Sequence, residues 1–194
     1  MSTPVLHLLA GPNGSGKTTF YDLVLGPATY LPFVNADQIA ALRWPRDALS
    51  HGYEASREAS ELRAQFIAER KSFVTETVFS HPSKVELLRQ AASAGYHVTL
   101  HVMLVPVELA VVQVALRVKA GGHDVPEDKI RARYERLWAH VVAAVDLADH
   151  AWFYDNTSAE HPYRIVARYE HGRRVGSVEW PVWAPAELHG SGSG

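Results

Sequence analysis

The stretch "AGPNGSGKTTF", residues 10 to 20, decides the fold. Residues 11–18 match the pattern G-x-x-x-x-G-K-[ST] at every position; its glycines let backbone N–H groups point at phosphate oxygens. An apolar run, "VLHLLA" (5–10), stops directly before this segment. "KTTFYDLVL" (17–25) follows with a helical pattern, which Gly26-Pro27 is predicted to end. Strand, loop and helix in this order predict a phosphate-binding loop and disfavour a plain glycine-rich turn.

The predicted phosphate loop gives its residues distinct chemical roles. Lys17 would reach the β and γ phosphates of a nucleotide, and the Thr18 hydroxyl would ligate Mg²⁺. We therefore predict ATP and Mg²⁺ as cofactors. The predicted nucleotide-binding residues are Gly11, Pro12, Asn13, Gly14, Ser15, Gly16, Lys17, Thr18 and Thr19.

Apolar runs alternate with helical patterns along the rest of the chain. The predicted elements are strands at 30–37, 72–79, 96–105 and 151–156, and helices at 53–71, 82–95, 106–119 and 126–148. This alternation predicts an α/β fold of the P-loop NTPase type, a parallel sheet with helices on both faces. Two β-like runs within 163–180 predict a C-terminal β-hairpin. We expect one domain over 1–189, and a flexible linker or appended tail over 190–194, "GSGSG".

Composition narrows the class of protein. The formal net charge of −2 does not suggest the basic face that nucleic-acid binding usually needs, so we expect no nucleic-acid partner. The chain has no cysteine, which rules out disulfides and thiolate metal sites. Its N-terminal apolar run is too short for a signal peptide or a membrane span, so we expect a cytoplasmic protein without membrane attachment. The histidines are expected to be core or surface residues rather than metal ligands.

Two carboxylates are predicted to end neighbouring strands beside the phosphate loop. "FVNAD" places Asp37 at the end of the second strand, and "FVTET" places Glu76 at the end of the third. Ligands of open parallel sheets bind beyond the carboxyl ends of the strands. One carboxylate could accept a proton from an acceptor hydroxyl while the other supports Mg²⁺ or holds the acceptor. The alternatives are that Asp37 only caps a short helix, and that Glu76 is only an exposed strand end.

Two arginines are predicted to offset phosphate charge. Arg133 lies on the edge of the apolar stripe of the helix at 126–148, where a charge is costly unless it meets an anion. Arg117 precedes Gly121-Gly122, a hinge of the kind found in lids that close over nucleotide. The alternative for both is an arginine that extends to solvent from a helix edge. Arg131, Arg136 and His123 are expected to have no role at the site.

Several motifs in order resemble a known family. "GPNGSGKTT", "FVNADQIA", "FVTETVFSHPSK", "ALRVKAGGHDVP" and "IRARYERL" together resemble the zeta-toxin family of P-loop kinases, in particular its short single-domain members. The likeness runs from about residue 6 to about residue 158. It implies phosphoryl transfer from ATP to a sugar hydroxyl of a UDP-activated amino sugar, typically UDP-N-acetylglucosamine. It also implies that a small helical antitoxin could be a partner.

The resemblance also implies roles for individual residues. Asp37 matches the family's base, Glu76 its substrate-holding acid, and Arg117 an arginine that stabilises the transferring phosphate. Many members have a second threonine where this chain has Val78, so Thr77 or Ser80 would take over its contact with the sugar. We predict Asp37, Glu76, Thr77 and Ser80 as acceptor-binding residues. The predicted metal ligands are Thr18 and Glu76, and the predicted catalytic residues are Asp37, Lys17, Arg117 and Arg133.

The residues alone leave other functions open. One is a kinase for another acceptor, such as a nucleotide or an RNA end. Another is a nucleotide-binding switch or an antitoxin-binding module with little turnover. The helix at 53–71 is expected to shape the acceptor pocket without identifying its ligand.

Overall fold

The structure is a computed structural model and describes residues 2–122 and 124–190. Residue 123, and residues 191–194 of the tail predicted at 190–194, therefore lie outside the described residues. The strands are β1 (Val5–Ala10), β2 (Phe33–Val34), β3 (Phe73–Thr77), β4 (His97–Leu104), β5 (His150–Asp155), β6 (Arg164–Glu170) and β7 (Arg173–Arg174). The helices are α1 (Lys17–Phe20), α2 (Gly26–Thr29), α3 (Ala36–Arg43), α4 (Gly52–Ala68), α5 (Ser83–Ser93), α6 (Val107–Lys119), α7 (Glu127–Val145) and α8 (Ala186–His189).

One sheet contains all seven of these strands, in the order β2-β3-β1-β4-β5-β6-β7. The first five in this order pair in parallel, whereas β6 and β7 are antiparallel to their neighbours. The predicted α/β fold with a mainly parallel sheet is confirmed. The strand that leads into the phosphate loop, β1, lies between β3 and β4, so the loop emerges at the middle of the sheet edge.

The sheet is covered on both faces. On one face, Leu6 and Leu8 of β1 belong to a buried cluster with α5 and α7, which contribute Leu88 and Trp138. On the other face, Leu9 of β1 packs in a second cluster with residues from the segment after the phosphate loop. Each fully buried side chain of this kind contributes roughly 1.5–3 kcal/mol through removal of apolar surface from water. The two packed layers therefore fix β1 rigidly beneath the loop.

The helix after the phosphate loop is longer than predicted. Tyr21–Leu25 forms a π-helical turn, and α2 continues the helix to Thr29. Pro27 is the second residue of α2, and as a proline it donates no N–H to the preceding turn. The prediction that Gly26-Pro27 ends the helix is therefore wrong. Tyr30, with a φ of 54°, ends it instead.

The predicted C-terminal hairpin is present in reduced form. β6 pairs along most of its length with β5, and only two of its residues pair with β7. After β7 the chain turns at Gly176, which has a φ of 75°. It still covers the outer edge of β6, because Val175 N–H donates to Arg168 O and Glu179 N–H donates to Val166 O, both at 2.8 Å. No helix among the described residues is long and apolar enough to cross a membrane.

Candidate active site

The phosphate loop joins the end of β1 to the start of α1. Three of its glycines have positive φ values, 144° at Gly11, 74° at Gly14 and 86° at Gly16. A Cβ atom on Gly11 would lie 2.6 Å from Met103 O, and one on Gly14 would lie 2.9 Å from a backbone oxygen of α6. The glycines therefore allow both the loop's backbone conformation and its close approach to β4 and α6.

Lys17 is buried inside this loop, with 6% of its surface exposed. Its ammonium group donates to Gly11 O at 3.1 Å and to Pro12 O at 2.8 Å. Burial lowers its pKa; the negative charges of Glu76 and Asp37 raise it, and the positive charge of Arg117 lowers it further. The cation thus lies in the field of both predicted carboxylates and one predicted arginine.

Thr18 and Glu76 are in direct contact. The Thr18 hydroxyl donates to Glu76 Oε2 at 2.7 Å, which links α1 to the end of β3. A hydroxyl and a carboxylate oxygen this close could ligate one small cation together. No group of three or more His, Cys, Asp or Glu side chains with metal-site spacing occurs among the described residues. A cation here would thus complete its shell with phosphate oxygens and water, as Mg²⁺ usually does.

Asp37 was predicted to end the second strand, but the structure does not place it there. β2 stops at Val34, and Asp37 lies in the first turn of α3. Asn35 is the N-cap of that helix: its side-chain oxygen accepts from Asp37 N–H at 2.7 Å and Gln38 N–H at 3.1 Å. The chain starts a helix at Asn35 instead of continuing the strand, because the Asn35 side chain satisfies two backbone N–H donors of the first helical turn. Since the cap is Asn35, the Asp37 carboxylate is not needed to cap the helix, and it lines the cavity described next.

The predicted site residues converge on one cavity. Apart from Gly11 and Pro12, every residue predicted to bind nucleotide, metal or acceptor lines a cavity of about 850 Å³ at the carboxyl ends of β1, β2 and β3. This volume is within the range of ligand-binding clefts. Thr77, Val78 and Ser80 line it at the end of β3 and just beyond. The Thr77 hydroxyl accepts from Phe79 N–H at 3.2 Å, which leaves its own proton available to a ligand.

Both predicted arginines reach this cavity from the other side. Arg117 comes from the last turn of α6, and Arg133 from α7. Arg133 Nη1 donates to Asn13 Oδ1 of the phosphate loop at 3.4 Å, a long hydrogen bond. Arg131 instead pairs with Glu108 and Glu127 at the surface. The helix pattern thus distinguished the cavity arginine from its surface neighbour.

Four residues at or behind the cavity were not among the predicted site residues. Arg63 of α4 and Lys84 of α5 line the cavity. Asn156 and Tyr163 support the phosphate loop from behind: Asn156 Nδ2 donates to Ser15 O at 3.0 Å, and Tyr163 OH donates to Gly16 O at 3.1 Å. The sequence "DNTS" after β5 fits an adenine contact and an Asx turn equally well, and Asp155 forms the turn by accepting from Thr157 N–H. Nothing in that pattern indicated the contact of Asn156 with a loop 141 residues earlier.

Comparison with known proteins agrees with this geometry. The sequence profile of the family described as Zeta toxin matches residues 1–164. An uncharacterized protein of Haemophilus influenzae (strain ATCC 51907 / DSM 11121 / KW20 / Rd) is 29% identical over 125 residues, which are 64% of this chain and 88% of that protein.

Three solved structures share the fold. The AvrRxo1-ORF1:AvrRxo1-ORF2 complex with sulphate ions matches with a TM-score of 0.73 and 20% identity, over 96% of this chain and 62% of that chain. The same complex has been solved with ATP. The PezAT chromosomal toxin-antitoxin system of Streptococcus pneumoniae matches with a TM-score of 0.61 and 12% identity, over 87% of this chain and 72% of that one. Shikimate kinase from Acinetobacter baumannii matches with a TM-score of 0.52 and 20% identity, over 84% and 88%.

The chain thus spans 62% of the length of the AvrRxo1 chain that it matches. Its fold is that of P-loop kinases. The family profile covers the loop, the two predicted carboxylates Asp37 and Glu76, and the two predicted arginines Arg117 and Arg133. On this evidence the chain belongs to the Zeta toxin family, as its motifs predicted.

Proposed function

We propose that this protein is a kinase that transfers the γ-phosphate of ATP to a sugar hydroxyl of a UDP-activated amino sugar such as UDP-N-acetylglucosamine. The observation that carries the proposal is the convergence around Lys17. Lys17, Glu76, Asp37 and Arg117 line one cavity, and the charges of the last three act on the Lys17 ammonium group. Membership in the Zeta toxin family supports the kinase activity, and the resemblance of the individual motifs supports the choice of acceptor.

The residues of the loop fit ATP and Mg²⁺. Lys17 would exchange the carbonyls of Gly11 and Pro12 for phosphate oxygens, and the Ser15 hydroxyl, fully buried and without a hydrogen-bond partner among the described residues, would gain one there. Thr18 and Glu76 would hold Mg²⁺, which supplies positive charge that offsets the charge on the β and γ phosphates. The ATP bound to the AvrRxo1 complex supports this nucleotide.

Asp37 is the base in this proposal. The acceptor oxygen forms a bond to the γ-phosphorus while the bond from that phosphorus to the β–γ bridging oxygen breaks, which releases ADP. The hydroxyl proton passes to Asp37, whose carboxylate is free of the capping role. Arg117 and Arg133 approach from the helices opposite and offset the charge that spreads over the phosphoryl oxygens during transfer.

Glu76, Thr77 and Ser80 are the proposed contacts to the acceptor. All three lie on β3 or directly after it, on the cavity wall between the phosphate loop and α4. Val78 has no hydroxyl to offer, so Thr77 and Ser80 provide the polar contacts in its place. Glu76 contacts Thr18 as well, so it would link the acceptor to the metal.

The test is ADP release from Mg²⁺–ATP with a panel of acceptors. UDP-N-acetylglucosamine, other UDP-sugars, free N-acetylglucosamine, plain nucleotides and an RNA 5′ end would each be compared with no acceptor. Lys17→Ala is the blank, and the exposed Lys71→Ala is the matched control that keeps its activity. Release should require a UDP-sugar, vanish in the blank, and fall by about 10²–10⁴ in Asp37→Asn. Release with another acceptor alone would replace the UDP-sugar, and no release with any acceptor would refute the kinase.

We also propose an antitoxin as protein partner and the cytoplasm, where ATP and UDP-sugars occur, as the location. The AvrRxo1-ORF1:AvrRxo1-ORF2 complex and the PezAT toxin-antitoxin system, both similar in fold, support a partner of this kind. Expression of this chain alone in a bacterium should slow growth, and Lys17→Ala should not. Equal growth with either form would contradict a toxin role.

A further inference from the structure

Arg63 is unusual because it is an arginine that is buried without a carboxylate partner among the described residues. It lies in the middle of α4 with only 6% of its surface exposed, and its side chain reaches the cavity wall. Nη2 donates to Ser60 Oγ at 2.8 Å, and Nη1 donates to Thr75 Oγ1 at 3.4 Å. Both partners are neutral hydroxyls, and no carboxylate of the described residues pairs with this guanidinium. Burial alone lowers its pKa, to about 10.

A second cation lies beside it. Lys84, in the first turn of α5, lines the same cavity, and its ammonium group has no hydrogen-bond or ion-pair partner among residues 2–122 and 124–190. Burial lowers its pKa, and so does the positive charge of Arg63. Two cations that repel each other across a cavity wall, without a counter-charge, cost folding free energy unless an anion binds between them.

The sheet register locates this pair relative to the transfer centre. Thr75, the partner of Arg63, donates to Val34 O and pairs with Leu8 of β1, so Arg63 lies over β2 and β3. Thr75 directly precedes Glu76, and Lys84 follows β3. The pair is therefore on the acceptor side of the phosphate loop, separate from Lys17, Arg117 and Arg133.

We infer that Arg63 and Lys84 form an anion subsite that binds the diphosphate of the acceptor, and so restrict the kinase to acceptors that already carry phosphate. This inference rests on the proposed function, and it names two residues that would select the class of acceptor. The planar guanidinium can bind two oxygens of one phosphate, and the ammonium can bind the second phosphate as a point charge. A sugar without the diphosphate would leave both cations unpaired, which is a strong ground for discrimination.

Direct binding tests this assignment without any phosphoryl transfer. The phosphate loop would first be saturated with Mg²⁺ and a non-hydrolysable ATP analogue. Uridine diphosphate, uridine monophosphate and uridine would then be titrated calorimetrically into the wild type, Arg63→Met and Lys84→Met. Arg57→Met, on the same helix with an exposed side chain, is the matched control.

In the wild type and the control, affinity should rise with each phosphate. In each cavity variant uridine diphosphate should bind at least tenfold more weakly, while uridine and the ATP analogue keep their affinities. If Arg63→Met fails to fold, Lys84→Met decides, because that side chain is only half buried and holds no other group in place. Unchanged affinity for uridine diphosphate in the variants would overturn the inference, and so would a parallel loss for uridine and the ATP analogue.

The kinase assay separates this inference from the proposed function. Diphosphate binding that depends on Arg63, in a protein without turnover, would refute the kinase and keep the subsite. Turnover of UDP-N-acetylglucosamine with the same KM in wild type and Lys84→Met would keep the kinase and refute the subsite. A rise in that KM of tenfold or more, with a much smaller change in kcat, is the expected result.

Discussion

Gly16→Ala should show how the chain after β5 supports the phosphate loop. Gly16 has a φ of 86° and a ψ of 17°, a left-handed conformation that costs any other residue about 1–2 kcal/mol. A Cβ atom there would lie 2.5 Å from Asn156 Nδ2 and 3.3 Å from Tyr163 OH. The amide must therefore move away and lose its hydrogen bond to Ser15 O, which costs about 1 kcal/mol more. The free energy of unfolding should fall by about 2–3 kcal/mol in total.

Two matched variants separate these contributions. Gly121 has nearly the same φ, 84°, but no atom lies within 4 Å of the Cβ that an alanine would carry. Gly121→Ala should therefore cost only the backbone term, about 1–2 kcal/mol. In an Asn156→Ala background, Gly16→Ala should cost about 1 kcal/mol less than in the wild type, because the obstructing amide is gone.

Urea denaturation measured by circular dichroism gives each free energy, and thermal unfolding should show the Gly16→Ala midpoint lowered by roughly 5–10 °C. Affinity for a non-hydrolysable ATP analogue should fall as well, because the loop that carries the phosphate-binding N–H groups shifts. The reasoning is refuted if Gly16→Ala costs no more than Gly121→Ala and the same in both backgrounds. In that case Asn156 and the loop are not coupled.

Three other predictions follow from buried groups. Burial lowers the pKa of His7 to about 4 and that of His101 to about 3, so the unfolded chain binds protons first as pH falls below about 6.5. The free energy of unfolding should therefore drop by roughly 1.4 kcal/mol per pH unit per histidine down to about pH 4. Urea denaturation at several pH values would measure this drop, which should be smaller in His101→Gln. Thr18→Val should raise the Mg²⁺ concentration for half-maximal ADP release by at least about tenfold while Thr18→Ser does not, and equal Mg²⁺ requirements would remove Thr18 from the metal site. Trp138→Ala should lower the free energy of unfolding by about 3–5 kcal/mol. Trp138→Phe should lower it by much less, because the indole N–H is buried without a hydrogen-bond partner among the described residues. Equal losses in the two variants would mean that the N–H is hydrogen-bonded.

The fold was predictable because its signals are local. The phosphate loop requires glycines at fixed positions, and the central strand β4 is mostly apolar and is buried along nearly its whole length, as central parallel strands are. The error at Asp37 arose from a competition that the pattern does not show. "FVNAD" fits a strand that ends in aspartate, but Asn35 gains two backbone hydrogen bonds by starting a helix two residues earlier.

The place of Arg63 in the cavity wall was not predictable in the same way. Arg63 follows Leu62 on a helix rich in charged residues, and its neighbours Arg57 and Glu61 are exposed. Its buried guanidinium contacts Thr75 of β3, a strand that pairs with β1 and β2. Contacts of this kind are set by the packing of distant elements, whereas periodicity describes one element at a time.

The two-residue strands at the ends of the sheet have a consequence for assembly. At one edge of the sheet, β2 has only two residues with which a further strand could pair. At the other edge, the irregular chain at 175–179 already hydrogen-bonds to the outer side of β6. Edges this short resist the addition of a foreign strand, which also limits aggregation through the sheet. A protein that recognises this chain would have to do so through side chains of its helices and loops, so complexes should form and dissociate without any exchange of backbone pairing.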